Sequence, residues 1–414
     1  MSTFLVYIFS TFLAFSLTFW CVLPYLCQDW VYSVYFKGDP QSQDYVKRAL
    51  KLNDRRIYWA QEHFNELKEE QVQHPVELPN LRKDGDVELV VIVMGMNRKM
   101  KDYVPGYLLQ TVAEVHKRFA EDLAFPNKKL FICNVDENPD EVADLEHMYE
   151  LIPMVSRFGG DYPGEKTSKK IFDKSKDDYA FCLSRGMDFK PKYILLLEDD
   201  VIPKQDFFNE IHKVIYTDIP LIREGDRDGR DWAYVKLYYP EKWSGYGREY
   251  RHVIELIGIG LCGGCVGVIL YLIIEICISC FCSRIICRNK SRYPKLQMWK
   301  IRFWFVVAGI YCVLICVLIG RPYVVQFLDF RTHVIPAKDC CTQAVLYPGH
   351  LVSELSEHLR SQRGKQDFAH DLIMDRWADE KGYVRLLAQP NLVQHIGLVS
   401  TVRAWAKKAA YFIY

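Results

Sequence analysis

The chain has no surplus of charge of either sign. Lys plus Arg number 53 against 52 Asp plus Glu, for a formal net charge of +1. That balance gives no support for nucleic acid as a partner, which requires a basic face to neutralise phosphates. Glycine and proline are also modest, at 23 and 18 of 414 residues, which excludes collagen-like and disordered classes. The decisive absences are local: residues 2–28, 256–274 and 303–320 carry no charge at all. The mean hydropathy of −0.09 is thus a sum over bilayer segments and polar domains, not the signature of a soluble protein.

Each of these stretches approaches or exceeds the roughly 20 residues that cross a bilayer core as a helix. Residues 1–28 lack a basic leading region and run longer than the apolar part of a cleaved signal, so they read as an uncleaved signal anchor. Between the second and third stretches, residues 284–302 hold Arg284, Arg288, Lys290, Arg292, Lys295, Lys300 and Arg302 and no acid. A short basic loop belongs in the cytoplasm by the positive-inside rule. Residues 253–320 then form a transmembrane hairpin whose outer flanks share the lumen with residues 29–252. The sequon at Asn289 falls in the cytoplasmic loop and is expected to stay unglycosylated. Gly260, Gly263, Gly264 and Gly267 have the small-xxx-small spacing that lets helices approach closely. Cys262 with Cys265 and Cys277 with Cys280 have metal-motif spacing but lie in or against a bilayer helix, where packing is the simpler use, and Cys282 and Cys287 suit palmitoylation. Four cysteines face the oxidising lumen: Cys133, Cys182, Cys340 and Cys341. They permit three pairings; the one adopted joins Cys133 to Cys182 and leaves Cys340 and Cys341 free or bonded to each other.

In the lumen, residues 29–84 read as a stem region with a helix over 41–74. Residues 85–252 alternate apolar β-branched strands (87–96, 129–135, 193–197, 232–239) with helical periods (107–119, 140–151, 168–187, 206–216). That is the pattern of an α/β domain with a largely parallel sheet. Residues 321–414 add a strand near 344–347, helices near 352–362 and 367–380, and a terminal stretch from 384. They are too few to bury an independent core, so the two luminal pieces are expected to form one domain into which the membrane hairpin is inserted.

The most apolar strand stops at Glu198-Asp199-Asp200. Ligands of open α/β sheets collect at the carboxyl ends of strands, so these acids stand where a substrate binds. Extended geometry would put Glu198 and Asp200 on one face, with Asp199 opposite. Paired carboxylates suit Mn²⁺ or Mg²⁺. Trp243 and Tyr246, in an aromatic and glycine-rich stretch, suit sugar stacking or interface packing alike.

The run Tyr193-Ile194-Leu195-Leu196-Leu197-Glu198-Asp199-Asp200-Val201 resembles the acidic Asp-x-Asp site of GT-A glycosyltransferases. Gln389-Pro390-Asn391-Leu392-Val393-Gln394-His395-Ile396-Gly397 is similar to the closing segment of branching N-acetylglucosaminyltransferases. With an N-terminal anchor and a tandem membrane hairpin splitting the domain, the whole resembles the Golgi GPI N-acetylgalactosamine transferases of the post-GPI-attachment-to-proteins group. That resemblance implies a GT-A-like fold, a Golgi membrane location, and transfer of N-acetylgalactosamine from UDP-N-acetylgalactosamine to a mannose of the glycan on GPI-anchored proteins. It implies Mn²⁺ (or Mg²⁺) held by Asp200, Glu198 and His395. The loop Met96-Asn97-Arg98 after the first strand stands at the usual nucleotide-binding edge, where Arg98 suits a phosphate, and Asp136 after the second strand suits uracil or ribose or the capping of its own turn; with Asp199 these residues form the expected donor site. The resemblance also implies inversion of the sugar linkage, which needs a base. Asp367, Asp371, Asp375 and Asp379, spaced by four, supply the candidates, and Asp371 beside Leu372 and Ile373 is the choice. Two other readings stay open: a branching enzyme acting on N-glycans, and a non-catalytic membrane scaffold.

Overall fold

The computed structural model describes residues 3–73, 87–98, 103–159, 170–225, 228–285, 298–328, 331–365, 368–399 and 407–412. The centre of the basic loop with Asn289 and Cys287, the side chains of Cys280 and Cys282, and Asp367 lie outside the described residues. The chain divides into two units, residues 1–39 with 240–330 and residues 40–239 with 331–414.

The first unit is helical. Three of its helices are long and apolar enough to cross a membrane: Val6–Leu26, Tyr250–Cys277 and Met298–Ile319. Glycine lets two of them touch. A Cβ on Gly263 would lie 2.6 Å from Cys312 Sγ, one on Gly267 2.3 Å from Ala308 Cβ, and one on Gly309 2.6 Å from the Gly260 carbonyl oxygen. Close backbone approach of this kind is what holds helices together where lipid removes the hydrophobic drive. The N-terminal helix joins them through Thr18 Oγ1, 2.6 Å from the Tyr311 hydroxyl, and through Phe15, whose ring centroid is 4.9 Å from that of Tyr311. Cys262 and Cys265 are free thiols. Trp243 and Tyr246 belong to this unit, in single turns at Glu241–Trp243 and Tyr246–Arg248.

The second unit is α/β. Its strands are β1 (Leu89–Gly95), β2 (Lys128–Asn134), β3 (Met154–Ser156), β4 (Tyr193–Glu198), β5 (Val201–Pro203), β6 (Trp232–Lys236), β7 (His333–Pro336), β8 (Ala344–Pro348), β9 (Val384–Gln389) and β10 (Val393–His395). Eight of them form one sheet in the order β3-β2-β1-β4-β8-β6-β9-β7, and β5 pairs with β10 in a second, two-stranded sheet. Within the large sheet β7 and β8 run against the other six. The strands are apolar on both sides because both faces are covered. Val91, Val93, Leu195 and Leu197 face the helix Tyr107–Glu121 and the segment 207–219. Val90, Ile92, Ile194 and Leu196 face Ile171–Met187, Gly349–Ser361 and His370–Lys381. Strand period two assigns alternate residues to the two layers, and each fully buried aliphatic side chain contributes about 1.5–3 kcal/mol.

Three elements differ from their sequence expectations. The helix Gln43–Gln73 is no free-standing stem: Ala60 and Phe64 are buried in the same core as β1. Residues 140–151 form two 3₁₀ turns, Pro139–Glu141 and Ala143–His147, because the Asp144 carboxylate leaves its own turn to accept the Leu109 amide at 3.2 Å. The segment after β5 is broken into Phe207–Lys213, a π turn Val214–Asp218 and Ile219–Gly225.

Candidate active site

β4 ends at Glu198, and Asp199 and Asp200 occupy the turn into β5. The turn is clamped by Thr111 in the facing helix, whose hydroxyl lies 2.6 Å from the Asp199 carbonyl and 2.8 Å from that of Val201. Leaving the strand cancels the two-residue alternation that would have set Asp199 opposite its two neighbours. Instead Asp199 and Asp200 converge on Arg98, which follows β1: Nε donates to Asp199 Oδ2 at 3.0 Å, Nη2 to Asp199 Oδ1 at 2.5 Å and Nη1 to Asp200 Oδ2 at 2.7 Å. The structure therefore sets Arg98 against carboxylates, where the sequence suggested a phosphate. The carboxylate of Glu198 turns to Thr342, accepting its hydroxyl proton at 2.9 Å.

His395 reaches the cluster through the β5–β10 pairing, which sets it opposite Val201. Its Nε2 lies 3.1 Å from Asp200 Oδ2 and 3.2 Å from Lys407 Nζ, while the Ile396 amide donates to the Asp200 carbonyl at 2.8 Å. Gly397 permits this crossing. A Cβ there would fall 2.0 Å from Asp200 Oδ2.

The electrostatics follow from burial and from Arg98. Burial alone would raise the Asp200 carboxyl, but Arg98, His395 and Lys407 outweigh it and hold the group well below the usual carboxylate range. Burial raises Asp199 against the pull of Arg98, and burial with the neighbouring Asp200 charge raises Glu198. Arg98 thus favours the anion most strongly at Asp200, while burial works against it at Asp199 and Glu198.

Fit to a divalent cation turns on Asp200. Its Oδ1 is buried without a hydrogen-bond partner. A carboxylate oxygen beside an imidazole nitrogen is a donor set that Mn²⁺ and Mg²⁺ accept. No group of three or more His, Cys, Asp or Glu suited to a metal ion converges among the described residues. A cation held by Asp200 and His395 would complete its shell with phosphate oxygens and water, as Mg²⁺ commonly does.

Beside the cluster lies a cleft lined among others by Met96, Asn97, Arg98, Tyr107 and Asp199. Asp136 is occupied: its Oδ2 accepts the Asn97 amide at 2.8 Å and its Oδ1 the Asn138 amide at 2.9 Å, so it shapes the Met96–Asn97 loop. Asp371, half-buried in the first turn of its helix, accepts the Cys341 amide on Oδ2 at 3.1 Å. Asp375 is buried against Lys236 and Tyr234, and Asp379 is exposed on Arg385. The spacing by four thus distributes these acids among different partners. Cys133 is bonded to Cys182, and Cys340 to its neighbour Cys341, with φ positive at both (87° and 75°).

Residues 340–342 were not singled out by the sequence as site residues beyond their cysteines, yet Cys341 touches Asp371 and Thr342 touches Glu198. Neither Thr342 nor His370, its other partner, belongs to a motif. Comparison with family models gives a match to the GPI-N-acetylgalactosamine transferase PGAP4 over residues 89–394, from the first residue of β1 into β10. Since that span takes in both parts of the α/β unit and the hairpin between them, the chain belongs to the GPI-N-acetylgalactosamine transferase family.

Proposed function

We propose that the chain transfers N-acetylgalactosamine from UDP-N-acetylgalactosamine to a mannose of the GPI glycan on GPI-anchored proteins, with inversion, at the Golgi membrane. The N-terminus and the basic loop 284–302 face the cytoplasm and the α/β unit faces the lumen, a reading supported by the seven basic residues of that loop. The observation that carries the catalytic reading is the meeting of Asp200, His395 and Arg98 at the carboxyl end of β4, beside the cleft at Met96–Arg98.

The departing UDP carries the charge that must be stabilised. A bound Mn²⁺ or Mg²⁺, with Asp200 and His395 as its protein ligands, would act as a Lewis acid on the diphosphate. Arg98, bound to Asp199 and Asp200, supplies a fixed guanidinium charge at the same edge. Asn97, held by Asp136, shapes the loop that receives the nucleotide. Asp371 is our candidate for the base that takes the proton of the acceptor hydroxyl.

The test uses the full chain in detergent, a GPI-glycan acceptor, and UDP-N-acetylgalactosamine or UDP-N-acetylglucosamine with and without Mn²⁺. Transfer of one N-acetylhexosamine from the first donor is expected. It should be lost with chelator and reduced roughly 10²-fold or more in Asp200→Ala. Transfer from UDP-N-acetylglucosamine alone overturns the donor assignment, and full activity of Asp200→Ala overturns the site.

A further inference from the structure

Behind Glu198 the hydrogen bonds form a single ordered chain. Thr342 is buried at the start of the segment leading into β8, and its hydroxyl donates to Glu198 Oε1 at 2.9 Å. A hydroxyl has one proton to give, so the 2.8 Å contact between Thr342 Oγ1 and His370 Nε2 is donated by the ring. That leaves His370 Nδ1 as an acceptor, and Ser175 Oγ lies 2.5 Å from it. Every proton in the series Ser175, His370, Thr342, Glu198 then points the same way, toward the carboxylate.

The ring is held independently. It stacks on Tyr179 with centroids 4.4 Å apart and 24° between planes. Burial, with Lys236 adding to it and Asp371 opposing, lowers the His370 pKa, in keeping with a neutral ring that has one donor and one acceptor nitrogen. The members come from three separate elements: Ser175 from Ile171–Met187, His370 from the first residue of His370–Lys381, and Thr342 from the segment between β7 and β8. The segment is tied down beside them, with the Cys340 amide on Asp375 Oδ2 at 3.1 Å and the Cys341 amide on Asp371 Oδ2 at 3.1 Å.

We infer that Ser175, His370 and Thr342 are positioning residues for sugar transfer, a hydrogen-bond relay that fixes the Glu198 carboxylate at the mouth of the acidic site. This rests on the transferase reading above. The physical case is that Glu198 sits beside Asp199 and Asp200, where a carboxylate without a fixed donor would be free to swing among rotamers. One donated proton on Oε1 selects the rotamer, and the neutral ring behind Thr342 enforces which way that proton points. A carboxylate already held in one rotamer needs no rearrangement as charge develops beside it.

The experiment compares isosteres in the full-length protein, using whichever UDP-sugar the wild type turns over. Thr342→Val keeps the shape and deletes the proton, whereas Thr342→Ser keeps the proton. Thr342→Val is expected to lower kcat at least tenfold with KM for the UDP-sugar changed less than twofold. Thr342→Ser should recover activity to within about threefold of wild type. His370→Ala should resemble Thr342→Val, and His370→Gln, which can donate from the position of Nε2, should recover part of the loss. Unchanged kcat in Thr342→Val overturns the relay. So does a loss that Thr342→Ser fails to restore, or one that tracks a lowered melting temperature in both variants. A wild type inert with UDP-N-acetylgalactosamine but active with another donor overturns the donor assignment instead and leaves the relay comparison standing.

Discussion

Lys236 carries an ammonium group into the centre of the α/β unit, where its side chain is 1% exposed. The charge is sustained by Asp375, whose Oδ1 lies 2.9 Å from Nζ, and by the carbonyls of Lys338 and Cys340 at 3.1 and 2.8 Å. Tyr234 donates to the same carboxylate. Burial lowers the lysine pKa while Asp375 opposes the shift, as expected for a paired buried cation. Removing Lys236 takes from the buried Asp375 its nearest cation and leaves it Tyr234, the Cys340 amide and Arg385 at 3.4 Å. Lys236→Met is therefore expected to destabilise the fold by about 3–5 kcal/mol, and the double variant with Asp375→Leu to recover part of that loss. Chemical denaturation of the two variants checks this. A Lys236→Met protein as stable as wild type would mean that solvent reaches the pair. At this scale the sequence was half legible. Glu198-Asp199-Asp200 and His395 stood out because acids after an apolar strand and a histidine in a matching segment are unusual. Lys236, Thr342, His370 and Ser175 did not, since each is an ordinary residue type whose meaning depends on partners far along the chain.

Among the elements, the helix Gln43–Gln73 shows how a segment read as a spacer is drawn into the core. Its His63 Nε2 meets His116 Nδ1 in the helix Tyr107–Glu121 at 3.2 Å. Burial, together with the charge His63 would carry, lowers the His116 pKa from 6.5 to about 4; burial also lowers that of His63, with Glu66 and Glu114 opposing and Lys117 assisting. A depressed folded-state pKa means that the unfolded chain binds the proton first as pH falls. The contribution is fully present above pH 6.5 and is lost on acidification toward pH 4, at up to about 1.4 kcal/mol per pH unit for one group. The melting temperature should accordingly fall between pH 7 and pH 5, and His116→Asn should flatten that slope. Equal slopes for wild type and variant would show that this contact does not respond to acid. Period and composition revealed the helix itself, along with β1, β2 and β4. They misjudged residues 140–151, where Val142, Leu145 and Met148 have helical spacing and are buried. There Asp144 is committed to the Leu109 amide, and Glu150 adopts a positive φ of 68°, so tertiary contacts override the local pattern.

Over the whole molecule, the order of strands decides how the chain tolerates interruption. β4 and β6 precede the hairpin and β8 follows it, yet β8 lies between them, pairing antiparallel with both, while β9 pairs with β6. No local pattern announces this, because pairing across such a separation leaves no trace in either strand's own sequence. An apolar run at 344–347 indicates a strand and not its neighbours. The consequence is testable. The two parts of the α/β unit are joined by a row of central backbone hydrogen bonds and by both apolar layers, in which Leu346 and Val345 sit on opposite faces. Covalent continuity through the hairpin is then unnecessary once the sheet has formed. A protease site inserted within the loop 284–302 and cut after purification in detergent should leave the two fragments associated, with the melting temperature lowered by only a few degrees. Fragments ending at Tyr239, by contrast, lose β8 and β9 and expose one edge of β4 and both edges of β6, a state expected to aggregate. Separation of the cut halves under native conditions would show that the central pairing cannot hold the sheet without the connection, and would move the burden of stability from the strands to the hairpin.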